Sequence, residues 1–515
     1  MTVCSADLPA IWRGPYTAVL LALVILAVPP PASAQGGSPW FEPTLVDDSP
    51  AAPFVRTQHR GTFNGQDLTF DVVTGETVLT GEDGEPATTV FSTAYLRSDT
   101  RDTAARPVLF LFNGGPGASS SPLHLGLGPV RRPPGDDEGS LVAFENSVLD
   151  ATDMVFIDPP GTGYSRLYRE GAGEAFWGIE EDADAILFFI DEWLTRLDRR
   201  QSPIFLLGES YGGTRAVTML ARAGKVGFAG ALLLSPGLDF TSGTPAVGNN
   251  LPYVFRLPSF AATAAYHGVN GRGDRDFAEV FEQAAVFAQA EYAAALYQGN
   301  MLSADDKERV ATGVSKLTGL PRDYVIEQNL RISVDEFSDA LLADQGLRTG
   351  RLDSRVTGAI ADYKDKRPPG NDPSMGGGRR GGRGTGELLD EYYKTRLATD
   401  IDRPYRSLNL DLNSKWNYER ENAPRFYLTV MPLLEQAMKD HPAIRVFVGG
   451  GVFDLVVPVM AGRYLTSQTD IAPGRFTYAY YAAGHSVFDE EESREQLARD
   501  VRQFIIATLN ANAGD

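Results

Sequence analysis

Residues 203–213 read Pro-Ile-Phe-Leu-Leu-Gly-Glu-Ser-Tyr-Gly-Gly. The apolar run at 204–207 predicts a short buried strand, and the residues at 214–222 predict a helix. A Gly-x-Ser-x-Gly pattern on a strand-to-helix turn is typical of a nucleophile elbow, whose glycines let neighbouring backbone approach closely. Ser210 is therefore a candidate nucleophile. An ordinary strand–helix turn can carry the same five residues, so the rest of the chain has to supply a histidine, an acid and an oxyanion site.

Strand and helix patterns alternate on both sides of this stretch. A helix is expected at 180–197, and short apolar strands are expected at 108–112, 154–157, 229–234, 443–448 and 475–481. Apolar strands that alternate with helices predict an α/β fold with a mostly parallel central sheet that helices cover on both faces. Residues 61–112 alternate apolar and polar residues in short runs, which predicts an antiparallel hairpin region ahead of the parallel strands.

The pattern changes between about 240 and 405, where strand signals disappear and helices are expected at 277–296, 303–317 and 333–342. We interpret 241–405 as a helical insertion that forms a lid and divides the core into 35–240 and 406–515. Within it, 368–386 is rich in glycine and arginine and cannot bury apolar surface. We expect a solvated loop there; contact with an anionic ligand is the alternative.

The first 34 residues have the pattern of a secretory signal peptide. Arg13 precedes an apolar run at 16–28, and Ala32-Ser33-Ala34 forms a small-residue cleavage site. We expect cleavage after Ala34 and export to the periplasm or the medium, with no stable membrane insertion of the mature chain; an uncleaved anchor is the alternative. Cys4 is the only cysteine and would be removed with this segment, so the mature chain is expected to lack disulfides.

Composition and charge disfavour some classes of partner. The 515 residues carry a formal net charge of −20, which disfavours binding to nucleic acid or to anionic membranes because phosphate binding needs concentrated Lys and Arg. The sequence has no His-Glu-x-x-His, Cys-x-x-Cys or Gly-Lys-Ser signature, so neither a metal ion nor a nucleotide cofactor is predicted. The oligomeric state stays open.

A histidine and an acid follow two late strands. Asp454 comes after the strand expected at 443–448, and His485 comes after Gly484 at the end of the strand expected at 475–481. The order Ser210, Asp454, His485 is one of the known orders of a catalytic triad. In that arrangement Ser210 attacks a carbonyl, His485 takes and returns the proton, and Asp454 orients the imidazole. The other four histidines lack this strand-end context, so His485 is the candidate base.

A glycine-rich loop follows the early strand at 108–112. It reads Asn113-Gly-Gly-Pro-Gly-Ala-Ser-Ser120, and such a loop leaves backbone N–H groups uncovered by side chains. Uncovered N–H groups can stabilise an oxyanion, and we assign this role to the N–H groups of Gly115 and Tyr211. A phosphate cradle or a plain turn is the alternative, although no lysine follows the glycines as a P-loop requires.

Together these motifs resemble the serine carboxypeptidase family of α/β-hydrolases. The resemblance rests on Asn113-Gly-Gly-Pro-Gly117, on Asp158-Pro-Pro-Gly-Thr-Gly-Tyr-Ser165, on Gly208-Glu-Ser-Tyr-Gly212, and on the surroundings of Asp454 and Gly484-His485. It implies an α/β-hydrolase fold with a lid and, as substrates, peptides that have a free C-terminus. It also implies that Asn113 and Glu209 bind the terminal carboxylate of the substrate.

Binding of a carboxylate beside Glu209 has a consequence for pH. Two facing carboxylates cannot comfortably both be ionised, so they would share one proton. We therefore expect kcat/KM for peptides to fall as the pH rises above about 6, and the change Glu209→Gln to flatten that fall. The alternative is that Glu209 only occupies a variable elbow position, as in esterases that have Gly-Glu-Ser-Ala-Gly.

The chain departs from the family pattern at four places: Leu111, Ala118, Gly451-Val-Phe-Asp454 and Ser486-Val-Phe488. The family usually has Trp at the position of Leu111 and often Cys at that of Ala118. It usually has Gly-Asp-x-Asp at 451–454 and Met-Val-Pro at 486–488. Side-chain preference and exopeptidase efficiency therefore stay open. Two other functions compete with a carboxypeptidase. One is an esterase or acyltransferase that uses the same acyl-enzyme chemistry, and the other is a non-catalytic binding protein on a hydrolase scaffold.

Overall fold

A computed structural model describes residues 41–133, 140–269, 276–363, 366, 369–375, 384–420, 423 and 427–514. The signal peptide expected at 1–34 and the Gly/Arg-rich run at 376–383 lie outside the described residues.

One large sheet organises the described part of the chain. The strands are β1 Val55–Phe63, β2 Gln66–Thr80, β3 Pro86–Arg97, β4 Val108–Phe112, β5 Val130–Arg131, β6 Val142–Ala143, β7 Asp153–Asp158, β8 Ile204–Glu209, β9 Phe228–Leu234, β10 Leu347–Thr349, β11 Thr357–Ala359, β12 Arg445–Gly451 and β13 Phe476–Tyr481. The order in the large sheet is β1-β2-β3-β7-β4-β8-β9-β12-β13, while β5 pairs with β6 and β10 with β11.

The last six strands in this order, from β7 to β13, are mutually parallel. Strands β1, β2 and β3 pair antiparallel and form the other side of the sheet. The carboxyl ends of the six parallel strands share one edge, and in open α/β sheets that edge binds ligands. Strand β4 shows why helices must cover both faces: all five of its residues are buried.

The helices are α1 Ser121–Leu127, α2 Ile179–Arg196, α3 Tyr211–Arg222, α4 Phe240–Gly243, α5 Leu251–Tyr266, α6 Phe277–Phe287, α7 Ala293–Gln298, α8 Ala304–Thr318, α9 Arg322–Glu327, α10 Val334–Ala340, α11 Ile360–Tyr363, α12 Thr385–Arg396, α13 Leu410–Asn413, α14 Met431–Asp440, α15 Val459–Ser467 and α16 Glu491–Gly514. In the described ranges, no helix is both long and apolar enough to cross a membrane.

Alternate residues of each central strand enter two different cores. In β4, Val108 and Phe110 pack in a core with residues of α2, α3 and α14. Leu109 and Leu111 point the other way, into a core with residues of α1, α12 and α16. The sheet is therefore covered by helices on both faces, and the fold class expected from the sequence is confirmed.

The helical region between the two parts of the sheet has a core of its own. Phe260, Tyr292, Val314 and Phe337 are buried together there, and Leu455 joins them from the loop after β12. Helix α12 lies within the expected insertion, yet it packs on the sheet through Leu389 and Tyr393. The boundaries at 240 and 405 stay a prediction.

Candidate active site

The elbow holds Ser210 in an unusual backbone conformation. Its φ is 59° and its ψ −124°, a conformation that costs a non-glycine residue on the order of 1–3 kcal/mol. Hydrogen bonds hold it there: the Ser210 N–H donates to the Leu234 carbonyl at 2.9 Å, and the Ser210 carbonyl accepts from Gly213 at 2.9 Å and Gly237 at 3.0 Å. The serine remains partly exposed at the carboxyl end of β8.

Two glycines make this turn possible through close approach. A Cβ on Gly208 would run into the carbonyl oxygen of Gly212, and a Cβ on Gly213 would lie 2.6 Å from the Cβ of Pro236. Real Cβ atoms do not approach backbone or rigid side chains so closely, so the strand and the helix could not meet at this angle with larger residues.

The loop that begins at Asn113 is fixed directly against the elbow. A Cβ on Gly114 would collide with the backbone nitrogen of Tyr211. The buried Arg215 of α3 ties the loop down, because its guanidinium donates to the Asn113 carbonyl at 2.6 Å and to the carboxylate of Asp182 at 2.6 Å. This buried guanidinium therefore joins the loop to α2 and α3 and holds it next to the nucleophile.

The two assigned oxyanion donors open onto the same space as the nucleophile. Gly115, Ser210 and Tyr211 line one small cavity of about 30 Å³. Within the described ranges, neither the Gly115 N–H nor the Tyr211 N–H donates to another protein group. Both donors are thus available to an oxygen bound beside Ser210. The remaining walls of the cavity are mostly apolar, and they include Leu238, Phe240, Phe255, Val457 and Leu465.

The buried Asp454 pairs with the half-buried His485. The His485 Nδ1 lies 2.6 Å from Asp454 Oδ2, and the other carboxylate oxygen of Asp454 accepts from the N–H groups of Val456 at 2.8 Å and Val457 at 3.0 Å. Burial alone would lower the pKa of His485, but the Asp454 carboxylate outweighs it and raises the pKa above its ordinary value. The contact places the proton of a neutral imidazole on Nδ1, which leaves Nε2 as the base.

A short segment of the helical region holds both members of this pair. The N–H of Leu455, next to Asp454, donates to the Arg351 carbonyl at 3.0 Å, and the His485 N–H donates to the Leu352 carbonyl at 2.7 Å. The Ser354 N–H donates to the Phe453 carbonyl at 3.1 Å. We call residues 351–354 the strap, since they bridge the loop after β12 and the loop after β13.

Asn113 and Glu209 are in direct contact beside Ser210. The Asn113 amide donates to Glu209 Oε2, and its own oxygen accepts from the Leu123 N–H at 3.2 Å, which fixes the orientation of the amide. Only 2% of Asn113 and 4% of Glu209 is exposed. Burial raises the pKa of Glu209 to about 7, although His485 and the hydrogen bonds from Ser486 and Asn113 oppose that rise.

The elbow and the histidine loop meet at Glu209. The Ser486 hydroxyl donates to Glu209 Oε1 at 3.0 Å, so the residues that adjoin Ser210 and His485 are bonded to each other.

The structure therefore gathers the seven residues that the sequence singled out: Asn113, Gly115, Glu209, Ser210, Tyr211, Asp454 and His485. Three parts of the site were missed: Arg215, Ser486 and the strap. Ser486 could have been predicted from the sequence, because it directly follows the candidate base. The strap has no local sequence pattern that would predict it.

Comparisons with known proteins find similarity to carboxypeptidases. Residues 93–223, which contain Asn113, Glu209 and Ser210, match the serine carboxypeptidase family model. The chain is 38% identical over 114 residues to the pheromone-processing carboxypeptidase KEX1 of Coprinopsis cinerea, covering 21% of this chain and 17% of that protein. It is 34% identical over 141 residues to KEX1 of Cryptococcus gattii, covering 26% and 20%. The chain thus matches a fifth or less of the length of these relatives.

The similarity in fold to a solved carboxypeptidase structure covers more of the chain than residues 93–223. The crystal structure of a prohormone-processing carboxypeptidase, Kex1(delta)p of Saccharomyces cerevisiae, superposes with a TM-score of 0.53. The match covers 86% of this chain and 92% of that one at 15% identity, so it shows a shared α/β-hydrolase fold. The resemblance to serine carboxypeptidases is confirmed over residues 93–223.

Proposed function

We propose that this protein is a serine carboxypeptidase that removes residues from the C-terminus of peptides. The observation that carries the proposal is the buried contact between Asn113 and Glu209 directly beside Ser210. An esterase needs the nucleophile, the base and the oxyanion donors, but it has no need of a carboxyl and an amide held together next to them.

The chemistry follows from the roles proposed for each residue. His485 Nε2 takes the proton of Ser210 as the serine oxygen attacks the scissile carbonyl carbon. The carbonyl oxygen becomes an oxyanion and accepts hydrogen bonds from Gly115 and Tyr211. The protonated His485 then gives its proton to the leaving amine as the C–N bond breaks. Water, deprotonated by the same imidazole, hydrolyses the acyl-enzyme and restores Ser210.

Recognition of the free C-terminus is proposed for Asn113 and Glu209. A neutral Glu209 donates its O–H to the terminal carboxylate, and the Asn113 amide supplies a second donor. Because the pKa of Glu209 is raised to about 7, its neutral form is present in mildly acidic solution and lost at higher pH. The substrate carboxylate favours the neutral form further, since it adds a second negative charge at the site.

Export belongs to the same proposal. It rests on the leader pattern at 1–34, with cleavage after Ala34, and it would place the enzyme among extracytoplasmic peptides. The chemistry proposed above uses only side chains and backbone N–H groups of this chain, so no cofactor is proposed.

Paired substrates test the function. N-blocked dipeptides that differ only in a free or an amidated C-terminus should differ strongly in kcat/KM at pH 5, with the free acid preferred. Equal rates for the two would contradict the proposal and favour another hydrolase of this fold. A fluorophosphonate probe should label the wild type and not Ser210→Ala; equal labelling of both would exclude Ser210 as the nucleophile.

A further inference from the structure

We propose that Ser486 is a positioning residue of the terminal-carboxylate site, which acts by orienting the carboxyl of Glu209. The inference rests on the proposed function. Its basis is a contact that the family resemblance does not supply, since the residue after the histidine departs from the family pattern in this chain. The Ser486 hydroxyl donates to one oxygen of Glu209, and Asn113 donates to the other.

Ser486 and Asn113 bind different oxygens of the Glu209 carboxyl, and this difference defines the role of Ser486. Oε1 of Glu209 is occupied by Ser486 at 3.0 Å, so Oε2 is the oxygen that faces Asn113. In a neutral Glu209 that keeps Oε1 as the acceptor of Ser486, the proton lies on Oε2, and this O–H oxygen can still accept from Asn113 while it donates to the substrate. That proton then lies beside the amide that also binds the substrate. Without Ser486, rotation of the carboxyl would let the proton point away from the peptide carboxylate.

Ser486 is itself held firmly. The carbonyl of the preceding His485 accepts from the Ser235 hydroxyl at 2.8 Å, and the His485 N–H donates to Leu352 of the strap at 2.7 Å. The backbone on the N-terminal side of Ser486 is thereby anchored from two directions. A hydroxyl on so restricted a backbone loses little freedom when it binds Glu209, so the contact is an efficient constraint.

The groups around Glu209 determine how loss of the Ser486 hydroxyl changes the pKa of Glu209. The titratable groups that face Glu209 are the imidazole of His485 and the carboxyl of Asp489, and Asn113 and Ser486 add neutral donors. His485 and the two donors favour the ionised form, whereas burial and Asp489 favour the neutral form. Removal of the Ser486 hydroxyl therefore raises the pKa of Glu209. The loss of free-acid preference that accompanies ionisation of Glu209 should then occur at a higher pH.

A purely structural role makes a different prediction. If Ser486 only supported the histidine loop, its loss would misplace His485 and slow every substrate to the same extent. If Ser486 orients Glu209, its loss should weaken binding of the free carboxylate and leave an amidated substrate almost unchanged. The ratio of kcat/KM for the free acid to that for the amide separates the two roles.

The experiment uses full-length variants and active sites counted with a fluorophosphonate probe. In Ser486→Ala the free-acid preference should fall about tenfold, mainly through KM, because one hydrogen bond to a carboxyl is lost. The pair Ser486→Thr and Ser486→Val has nearly equal volume, so the Thr variant should keep the preference and the Val variant should lose it. This pair decides the question even if the alanine variant folds poorly.

Ser235→Ala is the matched control, because it removes a serine hydroxyl that also holds the histidine loop but does not contact Glu209. It should slow both substrates and lower the ratio much less than Ser486→Val does, because the Ser486 hydroxyl is still present. The proposal is overturned if Ser486→Val keeps both the wild-type ratio of free-acid to amide kcat/KM and the wild-type pH dependence. It is also overturned if Ser235→Ala lowers that ratio as much as Ser486→Val does. A wild type without any free-acid preference would overturn the carboxypeptidase proposal together with this one, whereas a preference unaffected at Ser486 would overturn this one alone.

Discussion

The half of the site that contains Glu209 and Ser210 is held by adjoining strands and by α3, whereas the half that contains Asp454 and His485 is also held by a segment of the helical region. In the elbow half, glycines and backbone hydrogen bonds of adjoining strands fix the nucleophile. In the acid–base half, the strap at 351–354 bonds to both loops. The helical region therefore helps to position the candidate acid and base.

The largest expected effect comes from the elbow half. Ser210→Ala should lower kcat about 10⁶-fold, as removal of a triad nucleophile does elsewhere. The hydrogen bonds that hold residue 210 use only its backbone, so the fold should survive the change. Active-site labelling and steady-state rates check this, with the melting temperature as the control. A variant that keeps more than a thousandth of the wild-type kcat would mean that another group attacks the carbonyl.

A smaller loss is expected from the matching change in the acid–base half. Asp454→Asn keeps the volume but removes the acceptor that places the histidine proton on Nδ1, so kcat should fall about 10⁴-fold. The backbone N–H groups of Val456 and Val457 can still bond to the amide oxygen. Rates at saturating substrate provide the measurement. A loss below tenfold would show that Asp454 does not set the tautomer of His485.

A change at the strap tests whether the helical region positions the base. A Cβ on Gly484 would lie 2.6 Å from the Leu352 carbonyl oxygen and 2.6 Å from the Asp353 Cβ, so Gly484→Ala should push the strap and His485 apart. A displacement of about 1 Å can cost about 10²-fold in kcat. Gly474→Ala is the matched control, because a Cβ there meets nothing within 4 Å. Equal activity of the two variants would remove the strap from the mechanism.

The smallest effect concerns pH and returns to the elbow half. Glu209 has a raised pKa of about 7, so its neutral form is complete in acid and is lost as the pH rises through about 7. We expect the ratio of kcat/KM for a free-acid peptide to kcat/KM for its amide to fall about tenfold per pH unit above that point, because titration of His485 affects both substrates alike. In Glu209→Gln this fall should disappear, because an amide does not titrate. A wild-type ratio that still rises above pH 7 would contradict the assigned role of Glu209.

The candidate residues of both halves could be read from the sequence, because each lies at or just after the end of an apolar strand. Asn113, Glu209 and Ser210 each stand at the end of an apolar strand, and glycines beside them mark turns whose backbone must pass close to other atoms. Those constraints are local, so a few consecutive residues reveal them. The parallel sheet was predictable for the same reason, because buried strands leave short apolar runs.

The contacts that complete the site are long-range and leave no such mark. Ser486 bonds to a residue 277 positions earlier, and the strap bonds through backbone groups that any residue could supply. Arg215 stands inside a helix, and its bonds to Asn113 and Asp182 depend on the tertiary packing. The catalytic roles of the seven candidate residues stay predictions until the variants above are measured.

One measurement tests the central claim most directly. Wild-type enzyme is incubated at pH 5 with a defined, N-acetylated peptide that has a free C-terminus and, separately, with its C-terminal amide, and the products are followed by mass spectrometry. The account predicts stepwise loss of residues from the C-terminus of the free acid, with the amide consumed far more slowly. Internal cleavage, equal consumption of both peptides, or turnover of simple esters without any loss of C-terminal residues would contradict it.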